Sequence, residues 1–252
     1  MSLPKTPSFR LDGRRALVTG GSRGIGLGAA VALAEAGAEV TVAARGKAEL
    51  GRVVAEMQDA GLMADALPLD VTDLEAVRRA FAEKGPFTIL VNSAGMARHT
   101  PALETEPGDF DAVMAVNVRA AYFLAQEAAR QMAETGGSII QISSQMGHVG
   151  GLDRAVYCGS KHAVEGMTKA MAIEWGPKQI RVNTICPTFI RTPLTESTFQ
   201  DPEKVRWIEQ KIKLGRTGVI EDIMGAVVFL ASDASALVTG TSILVDGGWT
   251  AG

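Results

Sequence analysis

A chain of 252 residues can bury a sizeable core as one large domain or two small ones. Its composition, 46% hydrophobic and 5% aromatic with 28 glycines, is that of an ordinary α/β protein and excludes disordered and fibrous classes. A net charge of −3 gives no electrostatic footing for nucleic acid or an anionic membrane, and no apolar run approaches the ~20 residues that span a bilayer.

Arg15 to Thr19 reads as a first buried strand, followed at once by Gly20-Gly21-Ser22-Arg23-Gly24-Ile25-Gly26 and a small-residue helix, Leu27 to Glu35, stopped by Gly37. Ala38 to Ala44 is a second strand, Lys47 to Ala60 a helix ended by Gly61, and Met63 to Leu69 a third strand. Thr72 is the expected N-cap of a helix reaching Lys84. Thr88 to Asn92 is a fourth strand, and two helices follow, Pro107 to Val116 and Val118 to Glu134. Gly137 to Ile142 is a fifth strand running into Ser143-Ser144; a helix carries Tyr157 and continues to Trp175. Ile180 to Cys186 and Thr241 to Val245 are the sixth and seventh strands. Apolar strands alternating with helices predict a parallel sheet covered on both faces. With no repeat and no linker-like stretch, the chain reads as one domain over residues 1–252. Only Thr188 to Arg216 interrupts the alternation before the helix Glu221 to Ala231, and such an insertion after a strand is where these folds place a lid.

The chemistry concentrates in Tyr157-Cys158-Gly159-Ser160-Lys161, with Ser144 thirteen residues before the tyrosine. On a helix, Tyr157 and Lys161 project from one face. A positive charge about 4–5 Å away at an effective dielectric of ~20 is worth roughly 3–4 kcal/mol. The spacing therefore predicts that Lys161 supplies most of the pull needed to bring a phenol from ~10 toward neutrality, with a cationic cofactor ring adding the rest. The glycines at 20, 24 and 26, between a strand and a helix, permit a tight turn and close approach of a phosphate to a helix N-terminus. After the second strand, Ala43-Ala44-Arg45 offers no carboxylate for a ribose 2′-hydroxyl, whereas Arg45 and Arg23 suit a 2′-phosphate. NADP(H) is the expected cofactor, with NAD(H) the alternative.

Thr19-Gly20-x-x-x-Gly24-x-Gly26, Asn92-Ser93-Ala94-Gly95, Asn117, Ser144 and Tyr157-x-x-x-Lys161, in this order, resemble the short-chain dehydrogenase/reductase family from about residue 9 to 249. The resemblance implies a single Rossmann-type domain, doubly wound, with seven strands ordered 3-2-1-4-5-6-7. It also implies an Asn117–Ser144–Tyr157–Lys161 tetrad. Tyr157 would be the proton donor and acceptor, and Lys161 would lower its pKa while bonding the nicotinamide ribose. Ser144 would hold the substrate oxygen, and Asn117 would relay protons through water to Lys161. By the same resemblance Gly20, Ser22, Arg23, Gly24, Ile25, Gly26, Arg45, Asp70, Val71, Asn92, Ala94 and Gly95 would line the cofactor. Pro187, Thr188, Ile190 and Thr192 would close over the nicotinamide, and Gln145 would join Ser144 and Tyr157 at the substrate. A homotetramer is the family's usual state. Two positions depart from the family pattern: Ser93 stands for the second asparagine, and Thr188 for the glycine after Pro187, where it loses glycine's backbone freedom.

His148 belongs either to the substrate pocket or to an ordinary surface loop. The three histidines, His99, His148 and His162, are scattered without carboxylates at ligand spacing, and no metal is expected. Cys158 and Cys186 read as buried free thiols of a cytoplasmic protein, and Met1 to Ser8 lacks the apolar core of a secretion signal. Met167 and Met171 read as packing residues, and Arg119 and Arg130 as solvated helix charges. The expected activity is interconversion of a secondary alcohol and a ketone on a sugar, polyol or sugar acid. Alternatives are reduction of 3-oxoacyl thioesters and a sensor that binds the dinucleotide without turnover.

Overall fold

The computed structural model describes residues 3–252, which run from β1 (Arg15–Thr19) and α1 (Gly24–Glu35) through β2 (Glu39–Ala44) and α2 (Lys47–Asp59). Next come β3 (Ala64–Pro68), α3 (Leu74–Lys84) and β4 (Ile89–Asn92). Helices α4 (Pro107–Met114) and α5 (Ala121–Met132) precede β5 (Gly137–Ile142), and α6 (Ala155–Trp175) leads to β6 (Ile180–Pro187). The segment 188–216 carries α7 (Glu196–Phe199) and α8 (Pro202–Lys211), before α9 (Glu221–Ala231) and β7 (Ser242–Val245). All seven strands pair in parallel in one sheet, ordered β3-β2-β1-β4-β5-β6-β7. The order reverses between β1 and β4, which opens a crevice at their C-terminal ends.

Side-chain alternation explains why the central strands are apolar throughout. Ala16, Val18, Ile89, Val91 and Ile140 join one core cluster with α1, α2 and α9. Leu17, Leu90 and Ile139, the intervening residues, join a second cluster with α3, α5 and α6. Successive residues point to opposite faces, so a strand covered on both sides has no polar face to show. Met171 is buried in the second cluster and Met167 packs against it, as their helical spacing implies. Segment 188–216 has its own small cluster of Phe189, Ile208 and Ile212, joined by Phe199 and by Trp249 near the C-terminus. No helix among the described residues is long and apolar enough to cross a membrane.

Two local expectations are corrected. Asp73, not Thr72, caps α3, its carboxylate accepting from the Ala76 N–H, while Thr72 donates its hydroxyl to Asp70. Asp73 lies three residues before the amide it must reach, the spacing an N-cap requires. The break expected at Asn117 is instead continuous helix: Ala115–Ala120 forms a π turn between α4 and α5. Such a turn absorbs one extra residue and turns the following side chains without ending the helix.

Candidate active site

The crevice is a cleft of about 610 Å³, a size that suits a dinucleotide with a small partner. Its phosphate end is built by what the glycines lack. Gly20 has φ +66°, and a Cβ there would lie 2.8 Å from the Ala94 amide nitrogen. A Cβ on Gly26 would lie 2.2 Å from the Gly20 carbonyl oxygen. Only glycine lets the loop fold this tightly under α1. The first turn of α1 has no side-chain cap and no acidic residue, so its N–H groups remain available to an anion. The residues present therefore fit a pyrophosphate.

Beneath the cleft floor runs a row of buried polar side chains on neighbouring strands. Thr19 donates to Asn92 at 2.9 Å, and Asn92 donates to Gln141 at 2.9 Å. Asn92 therefore does not line the cleft with its side chain, which is committed to joining β1, β4 and β5. Asn117 is likewise buried: its amide accepts from the Met96 N–H and donates to the Met96 carbonyl and to Ser160. It braces the chain after β4 against α6, and its side chain is not part of the cleft wall.

Of the residues singled out in the sequence, the glycines at 20, 24 and 26, Ser22, Arg23, Ile25, Arg45, Asp70, Val71, Ala94 and Gly95 border the cleft. Ser144, Tyr157, Lys161, Pro187, Thr188, Ile190 and Thr192 border it as well. Besides Asn92 and Asn117, Gln145 and His148 fall outside. Gln145 is buried behind Ser144, its amide without a hydrogen-bond partner among the described residues. His148 turns away toward α6 and β6, its Nε2 lying 3.4 Å from Cys186 Sγ and 3.8 Å from Glu165. The histidines are thus not all without a carboxylate neighbour, a correction no sequence interval could supply, since the three residues come from separate elements.

The family profile described as enoyl-(acyl carrier protein) reductase matches residues 20–250. The chain belongs to the short-chain dehydrogenase/reductase family. D-erythrulose reductase of Gallus gallus is 40% identical over 245 residues, covering 96% of this chain and 98% of that protein. Gluconate 5-dehydrogenase of Gluconobacter oxydans is 40% identical over 247 residues, covering 96% of each. Among solved structures, a gluconate 5-dehydrogenase from Burkholderia cenocepacia in complex with NADP and tartrate superposes with a TM-score of 0.93 at 38% identity. That likeness covers 97% of this chain and 98% of the other.

The electrostatics of this short-chain dehydrogenase/reductase differ from expectation at its tyrosine. Burial pushes the Tyr157 phenol above its ordinary value; the Ser144 hydroxyl and the charge of Arg154 offset this only in part. Lys161 supplies no comparable pull. Its Nζ lies 5.7 Å from the Tyr157 ring centroid and donates to the Ile142 carbonyl at 2.9 Å. Burial also pushes its own pKa down to about 8. Counting only the Coulomb attraction between neighbours omitted the cost of removing both groups from water, which penalises ammonium and phenolate alike.

Several cleft residues carried no motif in the sequence. Glu49, in the first turn of α2, accepts the Ser22 hydroxyl at 2.8 Å and borders the cleft near Arg45. Asp70 is held below the usual carboxylate range by hydrogen bonds from Thr72, with a smaller contribution from Arg45. Met96, Arg98, Pro193 and Leu194 also face the cleft; loops of this kind carry no periodicity that would mark them.

Between about pH 8 and 10.5 the unfolded chain holds the Lys161 proton and the folded chain has released it. Stability from this group therefore rises with pH across that window and is lowest below it. Lys161→Met, which keeps the length of the stem, is expected to unfold at higher denaturant concentration than the parent at pH 7. The gain is at most roughly 3 kcal/mol, and the gap should close as pH rises through the window. A parent protein more stable than the variant at pH 7, or a gap that ignores pH, would refute the buried ammonium.

Proposed function

We propose that this chain is an NADP(H)-preferring oxidoreductase that interconverts a secondary alcohol and a ketone on a sugar, polyol or sugar acid. The observation that carries the reading is that Ser144, Tyr157 and Lys161 open onto the same cleft as the glycine loop. Relatives named as a ketose reductase and an aldonate dehydrogenase, each similar over nearly the whole chain, support the substrate class. The Burkholderia enzyme holding NADP, and the exposed Arg23 and Arg45 at the adenosine end of the cleft, support the cofactor.

When bound, the nicotinamide supplies the redox step, exchanging hydride with the carbonyl carbon. The residues of the chain manage position and protons. Tyr157, protonated at neutral pH because burial holds its pKa up, gives its proton to the carbonyl oxygen during reduction. Ser144 fixes that oxygen. Lys161, anchored on Ile142 and still mostly charged at pH 7, would bond the cofactor ribose and add a lesser pull toward phenolate once the proton has left. Asn117 holds the chain after β4 in place, and with its side chain spent on Met96 and Ser160 its part in proton relay to Lys161 would run through water. The segment 188–216 acts as the lid, and one domain spans the chain.

The protein works in the cytoplasm as a homotetramer. Ile173 on α6 is 79% exposed and Leu244 on β7 is 43% exposed, apolar surface that a neighbouring subunit would cover. Light scattering at working concentration should return four times the chain mass; a monomer would exclude this assembly.

Tyr157→Phe is expected to cut turnover by about 10²–10⁴-fold, with NADPH binding retained. Undiminished turnover would remove the tyrosine from the reaction, and activity on 3-oxoacyl thioesters but on no keto sugar would reverse the substrate class. Arg45→Gln should weaken NADPH about tenfold or more while barely changing NADH, because only the 2′-phosphate loses a charged partner. Parent protein binding NADH as tightly as NADPH would sink the cofactor preference.

A further inference from the structure

Arg154 closes the loop before α6, three residues ahead of Tyr157. Its half-buried guanidinium stands over the Phe189 ring at 5.2 Å, and its Nη1 lies 3.1 Å from His99 Nε2. The His99 ring meets Tyr157 edge-on with centroids 5.9 Å apart, so arginine, histidine and tyrosine form one continuous cluster that flanks the cleft at Tyr157, the one of the three that lines it. Burial, reinforced by the arginine's charge, pushes the His99 pKa down to about 4. At neutral pH His99 is therefore uncharged, and its Nε2 accepts from Arg154 rather than repelling it.

No protein carboxylate answers that charge. Arg10, Arg14, Arg52, Arg78, Arg98, Arg130 and Arg216 each sit within ion-pair distance of an aspartate or glutamate. Arg154, like the half-buried Arg181, has no such pair among the described residues, but Arg181 donates to Ser235 and to the Ser232 carbonyl whereas Arg154 meets only His99. Adjacent Asp153 is exposed and is the weakest of the influences on Arg154. The first turn of α6 contains no acidic residue, and the helix N-terminus adds a partial positive charge of its own. A half-buried guanidinium without a counterion is costly. Here its charge also reaches the phenol, since Arg154 and Tyr157 each shift the other's ionisation.

We propose that Arg154, steadied by Phe189 and His99, binds a carboxylate of the substrate, so that the enzyme acts on hydroxy and keto sugar acids in preference to uncharged ketoses. The inference rests on the sugar-directed reading above and narrows it. Phe189 covers one face of the guanidinium and His99 takes one N–H, leaving edge N–H groups for a planar anion, the geometry in which arginine matches a carboxylate. A sugar acid would then be gripped at both ends: its carbonyl oxygen by Ser144 and Tyr157, its carboxylate by Arg154. Pinning a remote charge in this way aligns the carbonyl and favours acids over neutral analogues.

The test compares, with NADPH, a keto aldonate and the neutral ketose of the same chain length on the parent enzyme, Arg154→Gln and Arg154→Lys. The parent should prefer the acid. Arg154→Gln should cost the acid about 30-fold in kcat/KM, chiefly through KM, and the ketose about threefold or less. Arg154→Lys should recover part of the loss. Equal losses on both substrates would mean that Arg154 only holds the Phe189 loop, and a parent preferring the neutral ketose or a phosphorylated ketose would overturn the inference. Calorimetry adds a readout that does not depend on turnover: gluconate and its uncharged counterpart glucitol are titrated into the enzyme–NADPH complex, which cannot oxidise either. Gluconate binding that disappears in Arg154→Gln supports the carboxylate site even if no sugar is reduced, in which case the sugar-directed reading falls alone. Equal affinity for gluconate and glucitol would refute the site while leaving that reading standing.

Discussion

At the cleft, helix α6 is tied to the end of β5 by the hydrogen bond from the Lys161 ammonium to the carbonyl of Ile142. Ile142 ends β5, and Lys161 lies nearly two turns into α6, so this bond helps set how the helix begins relative to the sheet. Tyr157, one turn earlier on the same helix face, is thereby placed beside Ser144, two residues past the strand end. Holding an ammonium away from water works against folding, and the same desolvation lowers its pKa. In the proposed reaction Lys161 is a charge that packing alone would discard, a conflict between stability and function that active sites commonly contain.

The surroundings make that contact rigid. Thr19, Asn92 and Gln141 tie the C-terminal ends of three strands together beneath the cleft, in a setting where every buried polar atom needs a partner. Asn117 does the same on the helix side, satisfying both Met96 backbone groups and reaching Ser160. The π turn around Asn117 is the local distortion that lets one side chain meet both. Across the cleft, residues 188–216 rest on a separate small cluster, leaving Leu194 exposed at the cleft edge. One wall is therefore fixed by hydrogen bonds through the sheet, and the other by a small apolar cluster with backbone hydrogen bonds to Gly218, Val245 and Gly247.

Much of this was legible because it is local. The strands β1, β4 and β5 are marked by unbroken apolar runs, and their ends by glycine, asparagine or serine, so their bounds are recovered to within about a residue. The glycine loop and the Tyr157–Lys161 interval are equally local, since a turn and a helix face are determined by near neighbours. Where two local signals competed, the reading failed: Thr72 and Asp73 are both acceptable caps, and only the chain's path to Ala76 selects Asp73. Asn117 resembled a helix break because asparagine is a poor helix former, and its tertiary hydrogen bonds outweigh that propensity.

The sequence by itself determined the order of elements, the parallel sheet, the glycine loop and the helix face shared by Tyr157 and Lys161. Each of these follows from periodicity or spacing along a few turns of chain. Only the tertiary structure decided which polar residues face the cleft and which are spent beneath it. It also brought Glu49 to Ser22, His148 to Glu165 and Cys186, and Arg154 to His99 and Phe189. The direction of the Tyr157 shift belongs with these, because desolvation sums over everything packed around a group, and that sum is fixed by residues far away in the chain.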